Sequence, residues 1–289
     1  RRRSGRTEAL LNKGPVAPNA TPEMRRWLLS LVQDTARAQR ITLLIAQAPD
    51  LDPAMERAMD EAGLMPDAIG GILTASLWTN LRRTDPPWRQ RLRKTTQQEA
   101  RQALRRGMTI REGGSADVPA FFELMLATCR RQQTLPNPAT PEAMQTLYDQ
   151  MHRSGLARLS FAEFEGKPCA ASFCIRMGQR VTLWKKGWND LHREKHPSTL
   201  ATMESMEWAE AQGAEWYDFV GAGRDFCRRL LSGESLDKDQ QSTRYFNLLG
   251  FGAEPKLLPL PRVWCPNTLV RAVYRTALPV MKKLGRIQV

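Results

Sequence analysis

Three short stretches carry residues whose types could do chemistry. Asp218 stands in the aromatic run Trp216-Tyr217-Asp218-Phe219, directly behind a helix-like stretch that Gly213 closes. A carboxylate at a strand end can carry a proton or fix the geometry of neighbouring loops. Lys185 and Lys186 follow Trp184 in a strand-like run. Side chains alternate along a strand, so the two lysines face opposite ways, and one of them can line a cleft and hold a phosphate. The third stretch is Arg244-Tyr245-Phe246-Asn247, shortly before Gly250-Phe251-Gly252.

Other chemistries find little footing. His152, His192 and His196 lack ligand spacing and a partner cysteine, which argues against a bound metal. Cys129, Cys169, Cys174, Cys227 and Cys265 are scattered with no C-x-x-C pair, so no disulfide framework or zinc knuckle is expected, and a reducing cytoplasm fits. No Gly-x-Ser-x-Gly elbow presents a serine nucleophile. The charge balance is more telling: 43 Lys+Arg against 30 Asp+Glu leaves +13, which favours a polyanionic partner such as RNA, phospholipid headgroups or a nucleotide-linked substrate. No run approaches the roughly 18 apolar residues of a membrane span. The opening RRRSGR is not followed by an apolar signal core, and a portion upstream is expected to be missing.

The elements that must position these residues follow from periodicity and punctuation. A length of 289 residues with 42% hydrophobic content suits two domains. TPEMRRWLLSLVQDTARAQ reads as a helix capped by Thr21, with an apolar stripe at Met24, Trp27, Leu28, Leu31 and Val32; ITLLIAQ reads as a buried strand and DPAMERAMDEAG as a helix closing at Gly63. GGILTASLWT is another strand, ending at Thr79. The run from Pro87 to Gly107 reads as one exposed basic helix. Helices from Ser115 and Thr140 precede three strands in hairpin rhythm, LARLSFAEFEG, KPCAASFCIRMG and QRVTLWKKGWND, with glycine in the turns. A helix behind Pro197, the strand WYDFVGA and an amphipathic basic helix near the C terminus complete an α/β arrangement. That last helix sets Leu269, Val270, Val273, Leu278 and Met281 against Arg271, Arg275, Lys282, Lys283 and Arg286, a pattern suited to peripheral membrane contact.

In order along the chain, RQALRRG (Arg101 to Gly107), Pro197 with Leu200, WAEAQGAEWYDFVGA and FNLLGFG resemble the FemABX-like transferases, and LNKGPV resembles that family's Gly-Pro turn. The resemblance spans nearly the whole chain from Gly14, and its strength lies in the ordered set. It implies tandem GNAT-like domains, each an α/β (α+β) mixed sheet flanked by helices. The expected layout is a partial first domain over 1–85, a basic connecting helix over 86–107, a second domain over 108–255 and a C-terminal segment over 256–289. It implies transfer of an amino acid from aminoacyl-tRNA to an amine of a peptidoglycan precursor or peptide-like metabolite, with tRNA as co-substrate and no other cofactor. The implied location is the cytoplasm, extending to the inner membrane face.

The resemblance also distributes roles. Such transfer needs a proton acceptor and donors for a developing oxyanion. Asp218 is the carboxylate candidate, with Tyr217 beside it, and a sheet bulge is expected to expose backbone N–H donors. In the resembled family a Phe-Lys pair lies near the transferred group; here Phe246 is followed by Asn247, which brings a hydrogen bond but no charge, with Arg244 as the substitute cation. Trp184, Lys185 and Lys186 are expected at the substrate, and Arg101, Arg105 and Arg106 at the tRNA backbone. The segment WKKGWNDLHREKHPSTL lacks the glycine-rich loop on which acetyl-CoA enzymes of this type hold pyrophosphate. Two alternatives stay open: an N-acyltransferase using acyl-CoA or an acyl carrier protein, and a non-catalytic RNA- or membrane-binding relative.

Overall fold

The computed structural model describes residues 2–3, 6–67 and 71–283. In chain order the strands are β1 (Arg2–Arg3), β2 (Arg6–Leu11), β3 (Leu43–Ala46), β4 (Met65–Pro66), β5 (Ala75–Asn80), β6 (Met108–Gly113), β7 (Ala157–Phe164), β8 (Lys167–Met177), β9 (Arg180–Trp188), β10 (Trp216–Asp218), β11 (Glu254–Leu257) and β12 (Arg262–Trp264). The helices are α1 (Pro22–Ala38), α2 (Pro53–Glu61), α3 (Trp88–Arg91), α4 (Lys94–Arg105), α5 (Val118–Arg131), α6 (Pro141–Arg153), α7 (Pro197–Ala211), α8 (Arg224–Ser232), α9 (Lys238–Gln241), α10 (Arg244–Leu249) and α11 (Thr268–Lys283). They divide into two compact units, Arg1–Ala75 with Leu257–Val289, and Ser76–Lys256. No helix of the described residues is long and apolar enough to cross a membrane.

In the first unit a five-stranded sheet runs β1-β2-β3-β12-β4. The tail from residue 256, read from sequence as a separate segment, supplies β12 to the middle of this sheet, with Val263 opposite Ile45 on one side and Met65 on the other. Helix α1 starts where Thr21 Oγ1 accepts from the Met24 N–H at 3.2 Å, with Pro22 supplying a pre-set φ. Its inward face is Arg25, Leu29 and Ala36 rather than the expected stripe, and Met24, Trp27 and Leu31 stand exposed. The rotation has a polar cause: Arg25 points inward to Asp52 at 2.6 Å, and Asp52 in turn caps α2 by accepting from the Met55 N–H. Leu29, Leu44, Met55, Met59 and Trp264 fill the core between these helices and the sheet.

In α11, Leu269 and Val273 are 75% and 68% exposed. The side chains of Leu278, Met281, Lys282, Lys283 and Arg286 lie outside the described residues.

The second unit holds a seven-stranded mixed sheet, β11-β5-β10-β9-β8-β7-β6. The three hairpin strands fall where the glycine turns place them, with Gly166 and Gly178 at φ 71° and 59°. One sheet face packs Leu159, Phe161, Ala171 and Phe173 under α5 and α6. The other packs Ala162 and Ala170 against Ala103 of α4 and Leu200 and Ala201 of α7. Strand β5, read from sequence with the first domain, pairs here antiparallel to β10.

The run from Pro87 to Gly107 is not one exposed rod. It breaks between α3 and α4, with extended ψ of 137° and 139° at Leu92 and Arg93. Both Trp88 and Leu92 are buried, and the Arg93 N–H is taken by the Gly250 carbonyl at 2.8 Å instead of a helical partner. Of the basic side chains, Arg89 pairs with Glu210 at 2.5 Å, while Arg91 pairs with Glu254 at 3.2 Å and also donates to the Asn80 carbonyl.

Candidate active site

Strand β10 spans only Trp216–Asp218, parallel to β9 at Arg180, Val181 and Thr182. Beyond Asp218 the chain turns away through Val220 (φ 53°) and Gly221 (φ 78°). Strand β9 continues to Trp188, so Leu183–Trp188 has β8 along one edge and, among the described residues, no strand along the other. At the same level the β8–β9 register slips: Leu183 faces Cys174 and Lys185 faces Phe173, which leaves Trp184 as the extra residue of a bulge. A bulge beside a parted strand takes backbone N–H groups out of the ladder, where they can meet a developing oxyanion.

Asp218 sits at the apex of this parting and is 5% exposed. Its Oδ1 accepts from Ser76 Oγ at 2.5 Å and from the Val220 N–H at 2.9 Å, and Ser76 Oγ accepts from the Gly221 N–H at 3.3 Å. Arg180 lies 4.0 Å from Oδ2. A β-branched residue at positive φ is strained, and the carboxylate holds Val220 there. The geometry makes Asp218 the latch that bends the chain out of the sheet and opens the edge of β9. Asp218→Ala leaves Ser76 and the Val220 N–H with no acceptor, and is expected to cost about 2–4 kcal/mol. Asp218→Asn keeps an accepting oxygen and is expected to cost less than half of that. Urea unfolding checks both, and an alanine variant that unfolds at the wild-type midpoint would contradict the latch.

Tyr217 points to the opposite, α7 side and is fully buried. Ser205 Oγ donates to the Thr202 carbonyl at 2.8 Å, so Tyr217 Oη, 2.6 Å away, donates to Ser205. Cys174 Sγ lies 3.7 Å from the same phenol. Burial pushes the Tyr217 hydroxyl well up and the Cys174 thiol up to about 12, so both are neutral.

The bulge separates the lysines as alternation requires. Trp184 packs edge-on against Phe173 at 5.4 Å, and Lys185 Nζ lies over the Trp184 ring at 5.0 Å, on the α5 side. Lys186 stands across from Ser172, whose hydroxyl donates to Ala201 of α7 at 2.8 Å. Burial lowers both ammonium groups, that of Lys186 to about 8.

The remaining predicted residues lie on other elements. Arg244, Phe246 and Asn247 share the short helix α10; Arg244 and Asn247 are exposed, and Phe246 is half-buried with the Arg93 guanidinium over its ring at 4.6 Å. Arg101 and Arg105 are exposed on α4, and Arg106 donates to the Glu194 carbonyl in the turn before α7. That turn holds Asp190, His192 and His196 at positive φ. Among the described residues no three His, Cys, Asp or Glu side chains gather as a metal site.

Sequence reasoning missed Ser76, Ser205, Arg158 and Glu204. Arg158 Nη2 meets Glu204 Oε1 at 2.8 Å and its Nη1 meets Glu112 at 2.5 Å, while Arg158 Nε and Glu204 Oε2 are buried without a partner. A charged residue among the mostly apolar first positions of a strand, as Arg158 is in LARLSFAEF, was the available signal.

The family model described as the acetyltransferase (GNAT) domain matches residues 90–228. Among solved structures, FemX is 14% identical with a TM-score of 0.75, over 91% of this chain and 82% of FemX. The C-terminal domain (DUF2156) of a putative lysylphosphatidylglycerol synthetase from Agrobacterium fabrum is 15% identical with a TM-score of 0.59, covering 94% of this chain and 82% of that one. L-PGS from Bacillus licheniformis is 11% identical with a TM-score of 0.53, over 96% and 82%. No curated protein sequence matches. The chain has the FemABX-like GNAT fold, as its ordered motifs led one to expect.

Proposed function

We propose that this protein transfers an aminoacyl group from aminoacyl-tRNA to an amine, forming an amide, at the parted edge of β9 and β10. The observation that carries the reading is that edge: a bulge at Trp184 beside a strand end that Asp218 bends away, with Lys185 and Lys186 on either side of the sheet. The bulged backbone supplies oxyanion donors, and the Lys185 ammonium attracts a phosphate of a large donor. Likeness to FemX and to a putative lysylphosphatidylglycerol synthetase supports an aminoacyl group as the one moved. The turn after β9, with no glycine between Trp188 and Pro197, supports RNA over CoA as its carrier. The acceptor is an amine of a cell-wall precursor or peptide-like metabolite. A lipid-linked acceptor is a second reading, favoured by exposed Leu269, Val270 and Val273 beside Arg271 on α11.

The test is incubation with a labelled mixed aminoacyl-tRNA pool and candidate amines. Ribonuclease-sensitive label transfer is expected. If every charged tRNA is ignored while an acyl thioester reacts, the protein is an ordinary acyl-thioester enzyme instead.

A further inference from the structure

Lys186 closes a cross-strand row on the α7 side of the sheet: Glu112 of β6, Ser160 of β7, Ser172 of β8, then Lys186. Strand β8 brings Cys174, β7 brings Arg158, β10 brings Tyr217, and α7 brings Glu204 and Ser205. Both carboxylates of the layer pair with Arg158, and Tyr217, Ser205 and the Thr202 carbonyl satisfy one another. No hydrogen bond or ion pair joins the Lys186 ammonium to another described residue, and the side chain is half-buried. It belongs to the part of β9 that β10 does not cover.

An unpaired, partly buried amine favours its neutral form, because burial removes water from the charge and no carboxylate replaces it. This is why the Lys186 ammonium comes down to about 8. Burial lowers Lys185 as well, but its ammonium rests on the Trp184 indole on the α5 side of the sheet. Asp218 is held by two donors, and Arg158 keeps its proton.

We infer that Lys186 is the proton acceptor of the transfer, taking a proton from the attacking amine nitrogen and giving it to the departing ribose oxygen. The inference rests on the transfer reading above. In the step, the acceptor nitrogen forms a bond to the aminoacyl carbonyl carbon and the ester C–O bond breaks. One proton passes from nitrogen through Nζ to the ribose oxygen, so Lys186 ends as it began.

A phosphate clamp and a proton acceptor are told apart by arginine, which keeps charge but cannot be neutral. Single-turnover transfer is measured between about pH 7 and 9 with hydroxylamine as acceptor, less the rate without protein, since its amine is neutral over that range and the pH limb then reports the enzyme. The wild-type rate should rise with pH and level off near 8. Lys186→Met and Lys186→Arg should both lose about 10²- to 10⁴-fold and the limb with it. Activity retained by Lys186→Arg, or an unchanged limb in Lys186→Met, overturns the role.

A second readout needs no turnover: acetylation of each lysine against pH, read by mass spectrometry. Lys186 should become half-reactive near 8, against 10.5 for an ordinary lysine, and an ordinary profile overturns the inference. The sign for folding agrees. Between about 8 and 10.5 the unfolded chain holds this proton and the folded one does not, so stability rises with pH there, and Lys186→Met should remove that slope. A wild-type protein inert with every donor removes the transfer reading and this role together, and the labelling profile tells that failure from a misassigned lysine.

Discussion

Gly187→Ala is expected to destabilise the second unit by about 2–3 kcal/mol, and Gly187→Val by more, although neither adds a polar atom. Gly187 lies on β9 between Lys186 and Trp188, on the face covered by α5. A Cβ there would fall 2.6 Å from Leu124 Cβ and 2.8 Å from both the Leu124 carbonyl carbon and the Met125 nitrogen. Two of those three atoms are helix backbone, so no rotamer change relieves the overlap, and either α5 or β9 must shift. Gly187 is not at positive φ, which makes this a test of close approach and not of backbone freedom. The shift would also move Lys185, Lys186 and the bulge, so transfer should fall further than the unfolded fraction accounts for. Urea unfolding and the transfer assay check the two halves. An alanine variant with the wild-type midpoint would mean that α5 can ride up from β9 at little cost.

Glu204→Ala is expected to cost about 3 kcal/mol or more, because it strips a mostly buried guanidinium of its better-shielded partner. The Arg158 and Glu204 side chains are 20% and 14% exposed, whereas the other carboxylate, Glu112, is 58% exposed and so screened by water. Desolvation works against the Arg158 charge, and the hydrogen bonds and attraction of Glu204 and Glu112 together outweigh it, so that its proton is held more tightly than usual. The pair itself is not expected to be a net source of stability. Arg158→Met with Glu204→Leu should recover most of the loss, since an apolar pair avoids desolvating two charges and removes the unpartnered Arg158 Nε and Glu204 Oε2. A double-mutant cycle followed by thermal unfolding measures this. Additive losses in the double variant would show that the two side chains do not act as a pair.

Local signals carried much of the fold. Thr21 and Pro22 announce the start of α1, and Gly166 and Gly178 announce the turns between β7, β8 and β9. What the chain does at long range was less legible. Nothing near Trp78 says that it will lie opposite Asp218, 140 positions on, or that Val263 will sit between Ile45 and Met65. The break at Leu92 was hidden because periodicity alone favours one long helix, and the partner of the Arg93 N–H there is Gly250, far along the chain.

For the site, the aromatic-aspartate strand and the lysine pair could be read as a place of interest, since their residue types are costly to bury. Their division of labour could not. It depends on Ser76 reaching Asp218 across the sheet and on a one-residue slip at Trp184 that no composition marks.

The central place of β12 bears on how the protein is made. The β3 and β4 edges that it joins leave the ribosome about two hundred residues before it does, whereas Ser76–Lys256 emerges as one uninterrupted stretch and can settle first. Translation that halts after Lys256 would therefore yield a finished second unit joined to a sheet with an open slot, sticky enough to seek a strand from another nascent chain.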